Sequence, residues 1–284
     1  MLRRTDISPL ARLVRRVDAA SDGETAGDSF ATGFPSIDKW LGGGVRRGDL
    51  VVIGGEVGSG KSSLALAMSL RMAQAGTTTS FLTHEMSTER VMERALGIEG
   101  RARIDDIRKG TLDEMTRAAV GATAVRLRDR SPVFETLPTG GIDAVANALR
   151  STVDLQVAFV DPLQALAIGE RAQEEDLATA VRSLKSLAIE MNVALVVTSH
   201  LHVAATGRAD PRPTLDDFGA LGAVKQHADV VLGIYREEMF QPSSGVEGAT
   251  EFLILKNRNG SLGYVDLYFY KQWLRFEDML DPDR

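Results

Sequence analysis

The chain has 284 residues, a net charge of −6 at pH 7 and a hydrophobic content of 44%. This length is enough for one large α/β domain, or two small ones, with an ample core. No apolar run approaches the roughly 18 residues of a membrane-spanning helix and no apolar signal segment opens the chain, so we expect a cytoplasmic protein. The lack of cysteine excludes disulfides and thiolate metal sites. The acidic balance argues against a surface that coats nucleic acid, although it is compatible with a local basic channel.

An amphipathic helix and a linker are predicted at the N-terminus. Apolar residues recur at helical spacing within Pro9–Asp18, with arginines on the other face. Such a helix cannot bury its apolar stripe alone, and it would pack either on its own domain or on a neighbouring subunit. The segment Ala19–Ser29 has the composition of a flexible linker. We therefore divide the chain into residues 1–29 and a core domain of residues 30–284.

A phosphate-binding loop opens the core, after a short predicted helix that starts at Ser36. The segment Gly55–Ser62 fits the pattern G-x-x-x-x-G-K-[S/T], with the apolar run Leu50–Ile53 before it and a helical run to about Gln74 after it. Glycines let backbone N–H groups close around phosphate oxygens, and the helix N-terminus adds a partial positive charge. The expected nucleotide-binding residues are Gly55, Glu56, Val57, Gly58, Ser59, Gly60, Lys61, Ser62 and Ser63.

The next predicted strand, Thr79–Thr83, leads to Glu85. We expect this strand to lie beside the P-loop strand, where a carboxylate could polarise the water that attacks the γ-phosphate. Glu85 could instead be an acid favoured by the dipole at the start of a helix. Helices follow to about residue 129, with Ser87 capping one and Thr111 and Glu114 forming a capping box for another. A short strand, Pro132–Thr136, and a helix, Ile142–Thr152, come next.

An apolar run that ends in an acid, Val157–Asp161, is the second chemical landmark. At the carboxyl end of a buried strand such a carboxylate holds the Mg²⁺ that bridges nucleotide phosphates. We therefore expect Asp161 and the Ser62 hydroxyl to be Mg²⁺ ligands. The helix Glu174–Met191 and the strand Ala194–Val197 continue the alternation, which predicts a mostly parallel sheet covered by helices on both faces.

His200 follows the last of these strands, so it falls at the same sheet edge as Ser62, Glu85 and Asp161. In open α/β sheets, ligands bind at the carboxyl ends of the parallel strands. There His200 could sense the γ-phosphate, or it could simply be a polar residue at a strand end.

A β-hairpin is predicted near the C-terminus, from the β-rich runs Glu251–Leu255 and Tyr264–Tyr270 and the turn residues between them. The connecting loop presents Lys256 and Arg258. Loops normally lie on the surface, so in an isolated domain this would be a solvated turn. In a ring it would be an arginine finger supplied to the neighbour, which contributes about 10³- to 10⁵-fold in rate.

In their order and content, these motifs resemble the C-terminal ATPase domain of the DnaB-type replicative DNA helicases. The resemblance runs from about Thr32 to Phe276. It implies an α/β fold of the RecA-like P-loop NTPase type, with a C-terminal β-hairpin. The segments that carry it are Thr32–Asp38, Phe81–Ser87, Val160–Gln164, Leu221–Val231, Tyr235-Arg236 and Lys256–Gly260.

The resemblance also implies a function. Family members form rings, here expected to be hexamers, that hydrolyse ATP with Mg²⁺ and move 5′ to 3′ along single-stranded DNA in replication. Glu85 would be the catalytic base, and the N-terminal helix would pack on an adjacent protomer. The expected catalytic residues are Glu85, Asp161, His200, Lys256 and Arg258.

The chain departs from the family in the loop expected to contact DNA. The family commonly has an Arg–Glu pair where this chain has Gly219 and Ala220. Contact with phosphate would then fall to backbone N–H groups, and each lost basic contact would lower the salt slope by about 0.7. Lys225, where the family has an acid, could restore a positive charge or be an ordinary solvated lysine. The candidate DNA-binding residues are Gly219, Ala220, Gly222 and Lys225.

These departures keep a second hypothesis open, a RecA-like regulatory or recombination-accessory ATPase whose nucleotide state controls a protein partner. The lack of the Arg–Glu pair in the loop and the acidic net charge favour this regulatory ATPase. The Lys-x-Arg hairpin and the Leu-Gln after Asp161 favour the DNA motor. The family also has Gln where His200 stands, so the charge at this position would vary with pH. The resemblance implies nothing about a loader or primase partner, because the family's N-terminal domain has no counterpart in this sequence.

Overall fold

The structure is a computed structural model and describes residues 8–21, 28–169, 172–202, 208–242 and 245–279. The helices in these ranges are α1 (Pro9–Ser21), α2 (Pro35–Trp40), α3 (Lys61–Gln74), α4 (Thr88–Gly100), α5 (Ile104–Lys109), α6 (Glu114–Asp129), α7 (Gly141–Ser151), α8 (Gln173–Met191) and α9 (Ala223–His227). The strands are β1 (Ser29–Phe30), β2 (Val45–Arg46), β3 (Leu50–Gly55), β4 (Thr79–Thr83), β5 (Val133–Thr136), β6 (Val157–Asp161), β7 (Ala194–His200), β8 (Val230–Tyr235), β9 (Ala249–Asn257), β10 (Gly263–Tyr270) and β11 (Arg275–Asp278).

A nine-stranded sheet in the order β11-β10-β9-β8-β3-β7-β6-β4-β5 forms the centre of the fold. The strands from β8 to β5 in this order pair in parallel, and β9, β10 and β11 add antiparallel strands at one side. The predicted mostly parallel sheet and C-terminal hairpin are therefore confirmed. No helix within the described ranges is both long enough and apolar enough to cross a membrane.

Strand β3 explains why the sheet is covered on both faces. All its residues are buried, and those from Leu50 to Ile53 alternate between two apolar clusters. Val51 and Ile53 pack on one face with α3 and α4, while Leu50 and Val52 pack on the other with α7 and α8. Each fully buried side chain of this size stabilises the fold by about 1.5–3 kcal/mol relative to exposure. A strand buried on both sides has to be apolar throughout, which is the pattern in the sequence.

Strand order corrects one expectation about Glu85. Strand β4, which leads to Glu85, does not lie beside the P-loop strand β3, because β7 and β6 are inserted between them. Periodicity identifies strands but carries no information on which strands pair, so the neighbour was assigned by sequence proximity alone.

At two helix ends the structure differs from what the sequence predicts. The predicted capping box of Thr111 and Glu114 is wrong, because Asp113 is the N-cap of α6 and accepts a hydrogen bond from the Thr116 N–H at 2.8 Å. Thr111 instead donates its hydroxyl to Asp106 at 3.1 Å. Helix α1 extends to Ser21, so the first residues of the expected linker are helical, and residues 22–27 lie outside the described ranges. The division into residues 1–29 and 30–284 stays a prediction.

Candidate active site

The P-loop connects β3 to α3 as the sequence predicts. The residue before α3, Gly60, has a φ of 102°, a left-handed conformation that side chains rarely adopt. A Cβ at this position would also lie 2.7 Å from the ring of Phe276. Gly60 therefore permits both the turn and the packing of β11 beneath it, and it directs the N-terminus of α3 toward the pocket.

Lys61 is held inside this loop. Its Nζ donates to the carbonyl oxygens of Gly55 at 2.8 Å and Glu56 at 2.9 Å, and the residue is only 6% exposed. Burial lowers the pKa of Lys61 to about 8, and the negative charges of Asp161, Glu56 and Glu85 oppose this shift. An ammonium group has three N–H donors and these two carbonyls use two, so a third donor remains for a phosphate oxygen.

Ser62 and Asp161 meet as predicted for metal ligands. The Ser62 hydroxyl donates to Asp161 Oδ1 at 2.9 Å, and Thr198 donates to the same oxygen. The other carboxylate oxygen, Oδ2, is buried and has no hydrogen-bond partner among the described residues. A buried acceptor without a donor, next to a hydroxyl, fits a hard cation such as Mg²⁺. No group of three or more acidic or histidine ligands occurs in the described ranges, so phosphate and water oxygens would complete its shell.

Glu85 and His200 line the same cavity of about 340 Å³ as Lys61 and Ser62. Glu85 is exposed at its mouth, and its N–H donates to the Thr83 hydroxyl at 3.2 Å. Burial, followed by the positive charge of Lys61, lowers the pKa of His200, so its imidazole is neutral at pH 7. Glu85 and His200 therefore lie at the predicted edge of the sheet, although β4 is not the strand next to β3, and their roles as base and γ-phosphate contact stay predictions.

Several residues in this cavity or beside it were not assigned to the site from the sequence. Arg236 is 4% exposed, donates to the Gly58 carbonyl at 3.2 Å and lies over the Phe269 ring at 4.5 Å. Gln164 accepts the His200 N–H at 3.0 Å and so fixes the end of β7. Both residues lie in segments that carry the family resemblance, but neither was given a role in the site. The other lining residues that sequence reasoning missed are Arg94, Phe269, Lys271 and Leu274.

The predicted finger, Lys256 and Arg258, lies at the opposite edge of the sheet. Asn257 pairs with Val230, and Val230 pairs with Val51 near the start of β3. The P-loop begins at the other end of β3, and a strand of this length spans about 20 Å. Neither cation can therefore reach the nucleotide pocket of its own subunit.

The loop expected to contact DNA is less open than its sequence suggests. Ala220 is fully buried, so its side chain is not available at the surface, and the DNA-binding role of this loop stays a prediction. The Gly222 N–H donates to the Gly219 carbonyl at 3.0 Å, and Leu221, which is 65% exposed, forms the tip. Lys225 lies at the surface, where its ammonium pairs with Asp216 at 2.9 Å.

Known proteins share this architecture. Residues 29–278 match the family described as the DnaB-like helicase C terminal domain. The replicative DNA helicase DnaB of Leifsonia xyli subsp. xyli is 28% identical over 284 residues, which cover 96% of this chain and 62% of that protein. The replicative DNA helicase DnaB of Geobacillus stearothermophilus is 28% identical over 265 residues, which cover 91% of this chain and 58% of that protein. The chain thus spans about three fifths of the length of these curated relatives.

Two solved structures superpose on nearly the whole chain. One, of a DnaB-like replicative helicase described with its interactions with primase, has a TM-score of 0.86 at 21% identity and covers 97% of this chain and 68% of that one. The other, described as an ATPase domain, has a TM-score of 0.87 at 22% identity and covers 97% of this chain and 100% of that one.

Fold and site together define a P-loop domain with a RecA-like fold. The family match extends over most of the sequence, and the chain belongs to the DnaB-like helicase C terminal domain family. The resemblance inferred from the motifs is thereby confirmed.

Proposed function

We propose that this domain hydrolyses ATP with Mg²⁺ in a ring of identical subunits, a hexamer, and that hydrolysis drives movement along single-stranded DNA during replication. The single observation that carries the proposal is the separation of Lys256 and Arg258 from the P-loop of the same subunit by the length of β3. A closed head-to-tail ring would bring this edge of one subunit to the nucleotide edge of the next. The relatives' printed names, replicative DNA helicase, support the pathway and the helicase activity, and the 5′ to 3′ direction is proposed from the resemblance to the family.

The residues of one pocket have separate tasks in this proposal. Lys61 and the N-terminus of α3 bind the phosphates, and Ser62 and Asp161 would hold Mg²⁺, which would supply positive charge to the phosphates. Glu85 accepts the proton of the attacking water. The neutral His200 donates a hydrogen bond to the γ-phosphate, and the neighbour's Arg258 neutralises charge in the transition state.

The N-terminal helix supports assembly. Leu10, Leu13 and Val14 on its apolar stripe are exposed, so the stripe is not buried in the core of the same domain. Of the two packing alternatives from the sequence, these exposures favour an adjacent protomer. Because an exposed apolar stripe is normally an interaction surface, helix α1 would then stabilise the ring.

The decisive experiment mixes two inactive variants. Arg258→Ala subunits keep the P-loop and Lys61→Ala subunits keep the finger, so a mixed ring contains complete sites only if the finger acts on the neighbour. We expect each variant alone to hydrolyse almost no ATP in a single turnover, and the mixture to recover a clear burst. A mixture as inactive as its components would overturn the proposal. Arg128→Ala serves as the matched control, since Arg128 is exposed and pairs with Asp129 at the end of α6.

A second candidate function, a nucleotide switch that controls a protein partner, is favoured by one observation. In the loop expected to contact DNA, the Lys225 ammonium is paired with Asp216 and the Ala220 side chain is buried. The ATPase rate with and without single-stranded DNA, measured across the concentrations of ring assembly, separates the two. DNA stimulation supports the motor, whereas equal rates support the switch.

A further inference from the structure

Arg258 is tied to a buried acid of its own subunit. Its Nη1 lies 3.3 Å from Asp229 Oδ1, and its Nη2 donates to the Gln226 carbonyl at 2.8 Å. The backbone reinforces this contact, because the Arg258 N–H donates to the Asp229 carbonyl at 2.9 Å. Asp229 is 5% exposed, whereas half of the Arg258 side chain is in solvent. The acid is therefore fixed, and it restrains a side chain that is otherwise long and mobile.

The second oxygen of the same carboxylate points to the base of the P-loop strand. Asp229 Oδ2 accepts the N–H of Leu50, the first residue of β3, at 2.8 Å. It also accepts the Lys185 ammonium of α8 at 2.6 Å, and this ammonium donates to the Gly48 carbonyl at 2.8 Å. One buried carboxylate thus connects the finger, through Oδ1, to the strand that carries the subunit's own P-loop, through Oδ2.

Lys256 is restrained on the same side. Its Nζ donates to the carbonyl of Lys225 at 2.6 Å, within the last turn of α9. The carboxyl end of a helix carries partial negative charge, so it attracts both cations of the Lys-x-Arg pair. Asp229 is the second residue after α9, so the helix end and the acid together surround the finger with negative charge.

We propose that Asp229 is the positioning residue of the arginine finger, and that it holds the Arg258 guanidinium at the subunit edge with donors left over for the neighbour's triphosphate. A guanidinium has five N–H donors, and the contacts with Asp229 and Gln226 use two of them. The fork is rigid, so fixing two donors also fixes the direction of the others. This inference rests on the proposed function, since it assigns a task to a finger that acts in trans.

The test uses Asp229→Asn, which keeps the size of the side chain and removes its charge. We expect a reduction of about tenfold in kcat for ATP with little change in KM, because the finger stabilises charge that develops in the transition state more than it stabilises bound ATP. In the Arg258→Ala background the same substitution should cause no further loss, since two residues that act as one unit are not additive. Lys185→Met is the matched control: it removes the other charged partner of Asp229 and should leave kcat within about twofold.

Mixing distinguishes positioning from general structural damage. If the substitution affects only the finger, Asp229→Asn subunits keep an intact P-loop. Mixing them with Lys61→Ala subunits, whose finger is intact, should therefore restore ATP hydrolysis. A random equal mixture places an intact pocket against an intact finger at about one interface in four, so the single-turnover burst should approach a quarter of the wild-type amplitude. If Asp229 merely supported β3, its own pocket would be damaged and mixing would restore nothing, which would overturn the inference.

The mixture of Arg258→Ala with Lys61→Ala separates this inference from the function on which it rests. If the Arg258→Ala mixture recovers ATP hydrolysis but the Asp229→Asn mixture does not, only the positioning role of Asp229 is refuted. If neither mixture recovers, the action of the finger on the neighbouring subunit is refuted. Should Asp229→Asn subunits fail to fold, Asp229→Glu takes their place. It keeps the charge but shifts it by one methylene, so the same loss of kcat and the same restoration are expected, and wild-type kcat in a folded Asp229→Glu would contradict the inference.

Discussion

The Ser62 hydroxyl donates a hydrogen bond to Asp161 Oδ1 at 2.9 Å, which joins residues 99 positions apart in the sequence. Ser62 lies in the first turn of α3 and Asp161 ends β6, so the contact exists only because β6 and the P-loop strand end at the same edge of the sheet. The same carboxylate has a buried oxygen with no hydrogen-bond partner among the described residues. Together these oxygens form a site that a hard cation would complete.

The first prediction concerns this carboxylate. Asp161→Asn replaces a charged ligand with a neutral amide. The factor by which Mg²⁺ increases the affinity for ATP should therefore be about tenfold smaller, or less still, than in the wild type. Titration of a fluorescent ATP analogue with and without Mg²⁺ measures this difference. Asp143→Asn, an exposed acid in the first turn of α7, is the control and should retain the full effect of Mg²⁺. An Asp161→Asn variant with an unchanged Mg²⁺ dependence would exclude Asp161 as a ligand.

The second prediction concerns pH and Lys61. Burial lowers the pKa of Lys61 to about 8, and a bound triphosphate raises it again because it favours the charged ammonium. Binding above pH 8 therefore takes up a proton, and the affinity for ATP should fall as pH rises. Between pH 8 and pH 9 the fall should be about fivefold. Isothermal titration calorimetry in buffers of different ionisation enthalpy measures both the affinity and the proton uptake.

Lys61→Arg provides the control for this titration. A guanidinium stays charged over the whole range, so the variant should bind ATP with an affinity that hardly changes between pH 8 and pH 9. If wild type and variant lose affinity in parallel, another group is responsible for the pH dependence.

The P-loop could be predicted from sequence because its signals are local. Glycine spacing around Lys61, an apolar run before it and a helical run after it are all contained in a short segment. The strand beside β3 and the position of Arg236 depend on pairing between distant segments, which periodicity does not encode. Ala220 illustrates a third limit: a small residue in a loop gives no sequence signal of burial, yet it packs in the core. The cap of α6 was misassigned because Thr111 and Asp113 are both acceptable caps within one turn.

The third prediction tests Glu85 as the base. Glu85→Gln cannot accept a proton, so hydrolysis should fall by about 10²- to 10⁴-fold while ATP affinity stays within about twofold. Single-turnover hydrolysis and equilibrium binding measure the two quantities. The alternative, an acid placed only to favour the start of α4, is tested with Glu89→Gln in the first turn of that helix. Similar effects on hydrolysis in both variants would reject Glu85 as the base.

The fourth prediction concerns the loop proposed to contact DNA. Glu174 Oε2 accepts the Leu221 N–H at 3.4 Å, and its Oε1 lies 3.2 Å from His202 Nδ1. A carboxylate thus occupies a backbone donor that a DNA phosphate would use, and it repels that phosphate. Glu174→Gln should therefore tighten binding of single-stranded DNA about three- to tenfold at low salt.

Glu175→Gln is the matched control for this change, because it removes one negative charge from the same turn of α8 at an exposed position. Fluorescence anisotropy of a labelled oligonucleotide across a salt series compares the two variants. A shift in Glu174→Gln that exceeds the shift in Glu175→Gln indicates a local competition at the Leu221 N–H. Equal shifts would mean that net charge alone governs the affinity, and no shift in either variant would favour the nucleotide switch over the motor.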